Sequence, residues 1–205
     1  MAFDRTVFIN CPFDPDYAGI LRPVVFAVLY FDLEPRLASE RLNSAEPRIT
    51  KIIDLIRSAK YGIHDLSRIK ANAEGELFRL NMPLELGIDL GCREFGAGHL
   101  ADKRVLILEA EPYRYQAALS DLSGSDIAAH NNEPLTAMRC VRNWLVSELR
   151  LRRAIGAQRF WDKFNDFADA DFEQMKESGH SEIDIETRPI SDMTNAMREW
   201  IGIHR

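Results

Sequence analysis

The chain has 205 residues, of which 46% are hydrophobic and 28% are charged, and its mean hydropathy is -0.25. This composition is typical of a globular domain and excludes the disordered and fibrous classes. No apolar run approaches the ~20 residues that a membrane helix needs. Three cysteines without CxxC spacing favour neither a disulfide framework nor a zinc site. The sequence leads directly into a strand pattern, so we expect no signal peptide and a cytoplasmic protein.

The net charge of -6 is unevenly distributed along the chain. Residues 1–155 contain 20 basic and 21 acidic side chains, whereas residues 156–205 contain 6 and 11. The acidic balance disfavours nucleic acid as a partner, because phosphates bind basic surfaces. The difference predicts two unlike parts, an α/β domain over residues 1–155 and an acidic helical extension over residues 156–205.

Short apolar runs alternate with amphipathic stretches along the first part. The pattern predicts strands over Arg5–Asn10, Leu33–Ala38, Tyr61–Leu66, Lys103–Glu109 and, at an edge, Asp126–His130. It predicts helices from an Asp16 N-cap to about Phe31 and over Pro47–Ser58, Asn81–Phe95, Tyr113–Leu119 and Glu133–Arg150. The polar segment Ile69–Glu76 is predicted to be a loop.

Two packing predictions follow from residue spacing within the helices. In the Asn81–Phe95 helix, Gly87 and Gly91 are expected to allow close packing on the sheet, beside a row formed by Leu84, Ile88 and Cys92. In the extension, an aromatic stripe at helical spacing is expected to pack on the domain or on a partner subunit, and it consists of Phe160, Phe164 and Phe167. The polar stretch Lys176–Glu186 is expected to separate this stripe from a short helix over Asp192–Ile201.

Alternation of strands and helices at this period predicts a parallel sheet covered on both faces. Right-handed crossovers leave few topologies, and the simplest is a flavodoxin-like doubly wound sheet of about five strands. In such sheets, ligands bind beyond the carboxyl ends of the strands, where the strand order reverses. We therefore expect a site at the ends of the first and third strands.

Polar side chains follow both of those strands. Asp65 can accept hydrogen bonds from ribose hydroxyls and Ser67 can contact a phosphate, although an Asp/Ser pair is equally common in a turn. His64 lies within the strand, where a histidine is more often a hydrogen-bonded core residue than an acid–base group. Asn10 and Cys11 end the first strand, and a nucleophilic Cys11 would need His64 as its base.

Three segments carry a resemblance to a known family. The strand end Phe8-Ile9-Asn10, the segment YGIHDLSR at residues 61–68 and the stretch NMPLELGIDLG at residues 81–91 resemble the TIR (Toll/interleukin receptor) and TIR-like superfamily. The nucleoside 2-deoxyribosyltransferase-like proteins are related to it in fold. The resemblance covers roughly residues 5–130 and is most specific at the pattern N-x-x-x-E-L-G-x-x-x-G. The chain differs from the family at two places, Asn81-Met82-Pro83 and Cys11-Pro12-Phe13.

The resemblance implies an enzyme that cleaves the N-glycosidic bond of NAD or a related nucleotide, with Glu85 as the catalytic carboxylate. The substrate-binding residues that we expect around it are Asn10, Cys11, Phe13, Asp14, His64, Asp65, Ser67, Asn81 and Met82. NAD is then the substrate, and no bound cofactor or metal is expected. The resemblance also implies a role in prokaryotic, antiphage defence, gated by assembly of a homo-oligomer or by a partner protein.

The residues alone allow two interpretations of Glu85. Nicotinamide leaves a cationic ring as a neutral molecule, so one carboxylate that stabilises an oxocarbenium-like centre is sufficient for the reaction. A glutamate in the first turn of a helix can instead complete a cap or interact with the helix dipole. Two other functions therefore stay open. One is a non-catalytic module that binds a nucleotide signal or assembles, and the other is a nucleoside deoxyribosyltransferase or hydrolase.

Overall fold

The computed structural model describes residues 2–40, 43–69 and 80–205, and a sheet of five parallel strands lies at its centre. The strands are Thr6–Asn10 (β1), Glu34–Arg36 (β2), Tyr61–Asp65 (β3), Arg104–Glu109 (β4) and Ile127–Ala129 (β5). Their order is β2-β1-β3-β4-β5, and every neighbouring pair is parallel. This confirms the flavodoxin-like doubly wound sheet, whose strand order reverses between β1 and β3.

The α-helices of the described residues connect these strands and then continue beyond the sheet. They are Ala18–Tyr30 (α1), Arg48–Ser58 (α2), Asn81–Phe95 (α3), Pro134–Glu148 (α4), Ala157–Glu177 (α5), Glu182–Thr187 (α6) and Ile190–His204 (α7). The bounds of α3 are those that the sequence predicts. None of the described helices combines the length and the apolar character needed to cross a bilayer.

Helices cover both faces of the sheet. Val7 and Ile9 of β1 join a core with α1 and α4, whereas Phe8 packs against α2 on the opposite face. Successive side chains of a strand point to opposite faces, so every residue of β1 is buried. This is why the central strands β1 and β4 are short, continuous apolar runs rather than alternating ones, whereas β2 at the edge is the sequence Glu-Pro-Arg.

The C-terminal extension, formed by α5, α6 and α7, packs against α1. The ring of Phe26 in α1 lies 5.5–6.0 Å, between centroids, from four aromatic rings of the extension, which belong to Phe160, Phe164, Phe167 and Trp200. These contacts place the aromatic stripe in the same hydrophobic core as α1 and α4. Rings in such offset and edge-on contacts stabilise a core beyond the area that they bury.

Several local predictions differ from the structure. A 3-10 helix over Pro15–Tyr17 precedes α1, which begins at Ala18, so Asp16 is not its N-cap. The helical stretch predicted after β4 is only a 3-10 helix over Arg114–Ala117. Lys176–Glu186 is not a plain spacer, because its last residues belong to α6, which begins with a capping box. The loop predicted over residues 69–76 lies, beyond residue 69, outside the described residues.

The packing predicted for α3 is wrong. Gly87 and Gly91 do not contact the sheet: outside its own helix and chain neighbours nothing described lies within 4 Å of a Cβ built on Gly87, a Cβ on Gly91 would meet Phe95 of the same helix, and Leu84 is 56% exposed. Ile88 and Cys92 are partly buried against α2. The buried face of the helix instead carries two apolar and two acidic residues, Met82, Glu85, Leu86 and Asp89. Apolar spacing therefore does not describe this helix, because part of its buried face is polar.

Candidate functional site

The side chain of Asn10, at the end of β1, connects three elements that meet where the strand order reverses. Its Nδ2 donates hydrogen bonds to the Met82 carbonyl in the first turn of α3, at 2.9 Å, and to His64 Nδ1 in β3, at 3.0 Å. Asn10 is 2% exposed and His64 is fully buried. Asn10 therefore holds the start of α3, the helix that carries Glu85, against β1 and β3.

His64 begins a buried polar chain on the face of the sheet covered by α2 and α3. Because Nδ1 accepts a hydrogen bond from Asn10, Nε2 carries the ring proton and donates it to Asp89 Oδ2, at 2.9 Å. Asp89 Oδ1 lies 3.1 Å from Lys103 Nζ, and both of these side chains are fully buried. Lys103 also donates to the carbonyl oxygens of Ile56 and Ala59 at the C-terminal end of α2. His64 is thus a hydrogen-bonded core residue.

Gly62 makes room for this chain beneath β3. A Cβ at this position would lie 2.4 Å from Asp89 Oδ2 and 2.9 Å from His64 Nε2. Both distances are shorter than van der Waals contact allows. A larger residue at position 62 would therefore displace the carboxylate that pairs with Lys103.

A second buried cluster surrounds Asp65, at the end of β3. Its Oδ2 accepts hydrogen bonds from the Tyr17 hydroxyl, at 2.5 Å, and from His130 Nε2, at 3.0 Å, while Oδ1 accepts from the Ser67 amide, at 2.7 Å. Burial by itself raises the pKa of Asp65, but the interactions with His130, Ser67 and Tyr17 outweigh it and hold the pKa below its ordinary value. Asp65 is therefore an ionised acceptor whose oxygens are already bonded.

His130 directly follows β5, and its side chain contacts Asp65. The Asn132 amide donates to His130 Nδ1, at 3.1 Å, so Nε2 carries the proton that is directed at Asp65. Asn131 and Asn132 adopt left-handed φ angles of 53° and 56°, which asparagine tolerates better than most residues. This turn fixes the orientation of the imidazole.

Glu85 is the least compensated acid at this end of the sheet. It lies beyond the first turn of α3, which begins at Asn81, so the alternative interpretation of Glu85 as a helix cap is wrong. Its side chain is 6% exposed, and its one ionic partner among the described residues is the half-exposed Arg48, 3.8 Å from Oε1. Burial raises the pKa of Glu85 to about 6, and the charge of Arg48 opposes this only in part. A buried carboxylate with so little compensation is typical of functional sites.

Cys11 follows β1 and links the surroundings of Asp65 and Glu85. Burial raises the pKa of its thiol well above the ordinary value, and the negative charges of Asp65 and Glu85 raise it further. Both carboxylates therefore lie within electrostatic range of Cys11, at the same end of the sheet. A thiol held neutral in this way is a poor nucleophile. Its one candidate base, His64, is bonded to other residues.

Arg114, the first residue of the 3-10 helix that follows β4, links the ends of the third and fourth strands. Its guanidinium donates to the fully buried carboxylate of Glu109 and, at 2.6 Å, to the Ser67 carbonyl. The buried Ser67 hydroxyl has no hydrogen-bond partner among the described residues. A buried hydroxyl in that state can bond a ligand without losing an existing contact.

The remaining residues predicted to bind substrate are more exposed. Phe13 is 41% exposed, Asn81 is exposed, and Asp14 lies 3.9 Å from the Arg68 guanidinium. The other predicted site residues lie at the ends of β1 and β3, where hydrogen bonds or charge–charge interactions connect them. They are Asn10, Cys11, His64, Asp65, Ser67, Met82 and Glu85.

Sequence reasoning missed four polar residues of these clusters, Tyr17, Asp89, Lys103 and His130. His130 directly follows an edge strand, so the rule that sites lie at carboxyl ends would have included it. The other three gave no signal, because nothing in the local sequence shows that a tyrosine, an aspartate or a lysine is buried.

The described residues include no group of three or more His, Cys, Asp or Glu side chains placed to hold a metal ion. Comparison of the sequence with known protein-family models and with curated proteins finds no match. The case for a function therefore rests on the geometry of the strand ends and on the motifs found there.

Proposed function

We propose that this chain cleaves the N-glycosidic bond of NAD or a related nucleotide, with Glu85 as the catalytic carboxylate. The observation that carries the proposal is the state of Glu85, which is nearly buried, has a pKa raised to about 6 and lies near Cys11 at the end of β1. Ligands of doubly wound sheets bind at this edge. At pH 7 the ionised form still exceeds the protonated form by about ten to one, so the carboxylate can stabilise positive charge.

The proposed reaction breaks the bond between the ribose C1′ and the nicotinamide nitrogen. The bonding electron pair leaves with the nitrogen, so the pyridinium becomes neutral nicotinamide and the positive charge moves to the ribose. Glu85 stabilises this oxocarbenium-like centre electrostatically or bonds to it. Water then adds to C1′ and gives its proton to the carboxylate or to solvent, which yields ADP-ribose. Surroundings of low polarity strengthen the charge interaction.

The neighbouring residues divide into those that bind and those that position. The Ser67 hydroxyl is buried without a partner among the described residues and can donate to a ribose or phosphate oxygen. Phe13 offers a half-exposed ring on which a base can stack. Asn10 and His64 are bonded within the protein, so in this proposal they position α3 rather than touch the nucleotide. Asp65 is likewise occupied by its three donors.

A binding module without turnover is the second candidate, and the burial of Glu85 favours it. A side chain that is 6% exposed offers little surface to an attacking group, and Arg48 partly neutralises it. In this case a nucleotide signal binds at the same strand ends and no bond breaks. Deoxyribosyl transfer or nucleoside hydrolysis keeps the role of Glu85 and changes only the substrate. The role in prokaryotic defence and its gating by assembly rest on the resemblance to TIR-like domains alone.

The test is an assay for released base. The purified chain is incubated with NAD and separately with deoxynucleosides, at low and high protein concentration, and the products are separated by chromatography. We expect nicotinamide release that Glu85→Gln abolishes and Glu94→Gln preserves. Glu94 is the matched control, because it is an exposed glutamate of the same helix.

The other outcomes distinguish the alternatives. Base release from deoxynucleosides alone supports the transferase or hydrolase. No release from either substrate at high concentration, with NAD bound equally by the wild-type chain and by Glu85→Gln, supports the binding module. An absence of both release and binding refutes a nucleotide site at these strand ends.

A further inference from the structure

A groove separates α5 from α7 in the C-terminal extension. The two helices run antiparallel, since Lys163 early in α5 donates to the His204 carbonyl at the end of α7, while Arg188 just before α7 pairs with Asp171 late in α5. The cavity between them has a volume of about 1000 Å³, and every residue that lines it lies between positions 167 and 204. It is therefore separate from α3, which carries Glu85, and from the strand ends beside it.

Acidic side chains outnumber basic ones in the lining of this groove. Four carboxylates line it, those of Asp171, Asp184, Asp192 and Glu199, and Arg188 is the one Lys or Arg side chain of the lining. Arg188 is already paired with Asp171. Asp192 and Glu199 are seven residues apart on one face of α7, and neither pairs with a basic side chain in the described part of the chain. The groove therefore carries negative charge that the described residues do not neutralise.

The floor of the groove is apolar. Phe167 and Trp200, whose rings contact Phe26 of α1, line it together with the small residues Ala170 and Ala196. An occupant that combines positive charge with an apolar side chain would be bound at both the walls and the floor.

A segment of this same chain has that combination. Arg150, Arg152 and Arg153 follow α4, and Arg159 lies in the first turn of α5. All four are exposed, and none forms an ion pair with any residue that the structure describes. Leu151, between the arginines, is 40% exposed. We call residues 150–153 the basic segment.

The basic segment is held in a fixed shape. Its backbone is bonded to the last turn of α4 through the amides of Arg150 and Leu151. Beyond it, the Ile155 carbonyl accepts hydrogen bonds from the guanidinium of Arg142. A surface that is already ordered loses less conformational entropy when it binds.

Within one copy, no ion pair of the described residues joins the two surfaces. Arg159 at the start of α5 and Asp171 of the groove are twelve residues apart on one helix, which is ~18 Å along its axis at ~1.5 Å per residue. The basic segment lies beyond the N-terminal end of α5 and Asp171 lies towards the C-terminal end, whereas Glu199, near the end of the antiparallel α7, lies closer to the start of α5. Because the arginines of the segment form no ion pair within the described part of one copy, their charges are open to a second molecule.

We propose that the basic segment of one copy binds the acidic groove between α5 and α7 of a second copy. Because two different surfaces meet, the contact is head-to-tail, and repeating it generates a ring or an open filament. The inference goes beyond the proposed function and does not depend on it, since no part of the contact involves the strand ends. Charge complementarity and the apolar pairing of Leu151 with the groove floor select this partner.

The test is sedimentation velocity of the full chain over a range of concentrations, at low and high salt. We expect concentration-dependent association that weakens in high salt, because exposed charges are screened. A segment variant, Arg152→Ala with Arg153→Ala, and a groove variant, Asp192→Asn with Glu199→Gln, are each expected to raise the dissociation constant about tenfold. A control, Asp166→Asn with Asp169→Asn, removes two exposed charges of α5 outside the groove and should associate like the wild type.

Mixing the two variants identifies the geometry of the contact. The segment variant keeps an intact groove and the groove variant keeps an intact segment, so an equal mixture should form dimers that do not extend further. Circular dichroism of each variant checks that it folds. A wild-type chain that stays monomeric at all concentrations overturns the proposal. So does association that neither variant weakens, or a mixture that forms no dimer.

Discussion

Replacing Glu85 by glutamine is expected to stabilise the folded chain above pH 6 and to leave its stability unchanged near pH 4. Glutamine keeps the size and shape of the side chain and removes the charge. The carboxylate of Glu85 is nearly buried and has a single ionic partner, Arg48, at 3.8 Å. Its ionisation therefore opposes folding, because the unfolded chain solvates the charge better than the folded chain does.

The size of the effect follows from the pKa. Burial raises the pKa of Glu85 from 4.5 to about 6, and a difference of one pKa unit corresponds to ~1.4 kcal/mol. The full difference gives ~2 kcal/mol, and solvent screening at the partly open carboxylate reduces this to about 1–2 kcal/mol. The folded state binds the proton more tightly, so the stabilising contribution of protonated Glu85 is complete below pH 4.5 and is lost as the pH rises through 6.

The measurement is urea denaturation of the wild-type chain and the Glu85→Gln variant at pH 4 and pH 8. We expect equal free energies of unfolding at the lower pH and a variant more stable by about 1–2 kcal/mol at the higher pH. Glu94→Gln, on the exposed side of the same helix, should show no such dependence on pH. A Glu85→Gln variant that is equally or less stable at pH 8 refutes the argument, since the carboxylate must then be stabilised by contacts that outweigh its burial. If Glu85→Gln gains stability and also loses base release, the result would fit a catalytic residue, because active-site residues often reduce the stability of the fold.

Three further results are expected. Asp89→Asn leaves Lys103 buried without its carboxylate and should lower the free energy of unfolding by about 3–5 kcal/mol in urea titrations, and a double variant that also carries Lys103→Met should recover most of the loss. Gly62→Ala should lower the free energy of unfolding by about 1–3 kcal/mol, because the new Cβ would lie 2.4 Å from a carboxylate oxygen of Asp89, whereas Gly87→Ala should raise it by about 0.5–1 kcal/mol, because alanine favours the helix. Thermal melts in which Gly62→Ala is the more stable variant would contradict the packing described for α3. Asp65→Asn should make the free energy of unfolding less sensitive to acid, because the lowered pKa of Asp65 stabilises the fold at pH values above its ordinary pKa of 3.8, and this stabilisation is lost as the pH falls through the pKa of the folded state. A free energy of unfolding that declines equally in the wild-type chain and in the variant between pH 5 and pH 2 would refute the hydrogen bonds assigned to Asp65.

The sheet and most of its helices could be predicted from local sequence. Each predicted strand contains the observed one. For β1 and β4 the reason is that a buried parallel strand is a short apolar run between turn residues. The α3 helix was predicted with its observed bounds, and Gly96 follows its last residue. The predicted start of α1 was wrong, because Asp16, predicted as the N-cap, lies instead in the 3-10 helix over Pro15–Tyr17.

The buried polar groups could not be predicted, because their burial depends on partners far along the chain. Lys103 and Asp89 each look like solvent-facing charges in their own segments, and only the packing of α3 on the sheet brings them within 3.1 Å. The same packing turned Gly87 away from the sheet and Glu85 towards it. A residue's chemistry is local, but its solvation is decided by the whole fold.

The sequence by itself determined the alternation of strands and helices, the flavodoxin-like topology that follows from right-handed crossovers, and the strand ends at which a site is expected. It also showed that the last quarter of the chain is acidic. Tertiary structure alone decided that Glu85 is a nearly buried acid with a raised pKa instead of a helix cap. It also decided that the acidic extension forms a groove while the arginines before it stay unpaired among the described residues. The physical reason is that periodicity reports which face of an element is apolar, whereas pKa and charge pairing depend on distances between elements.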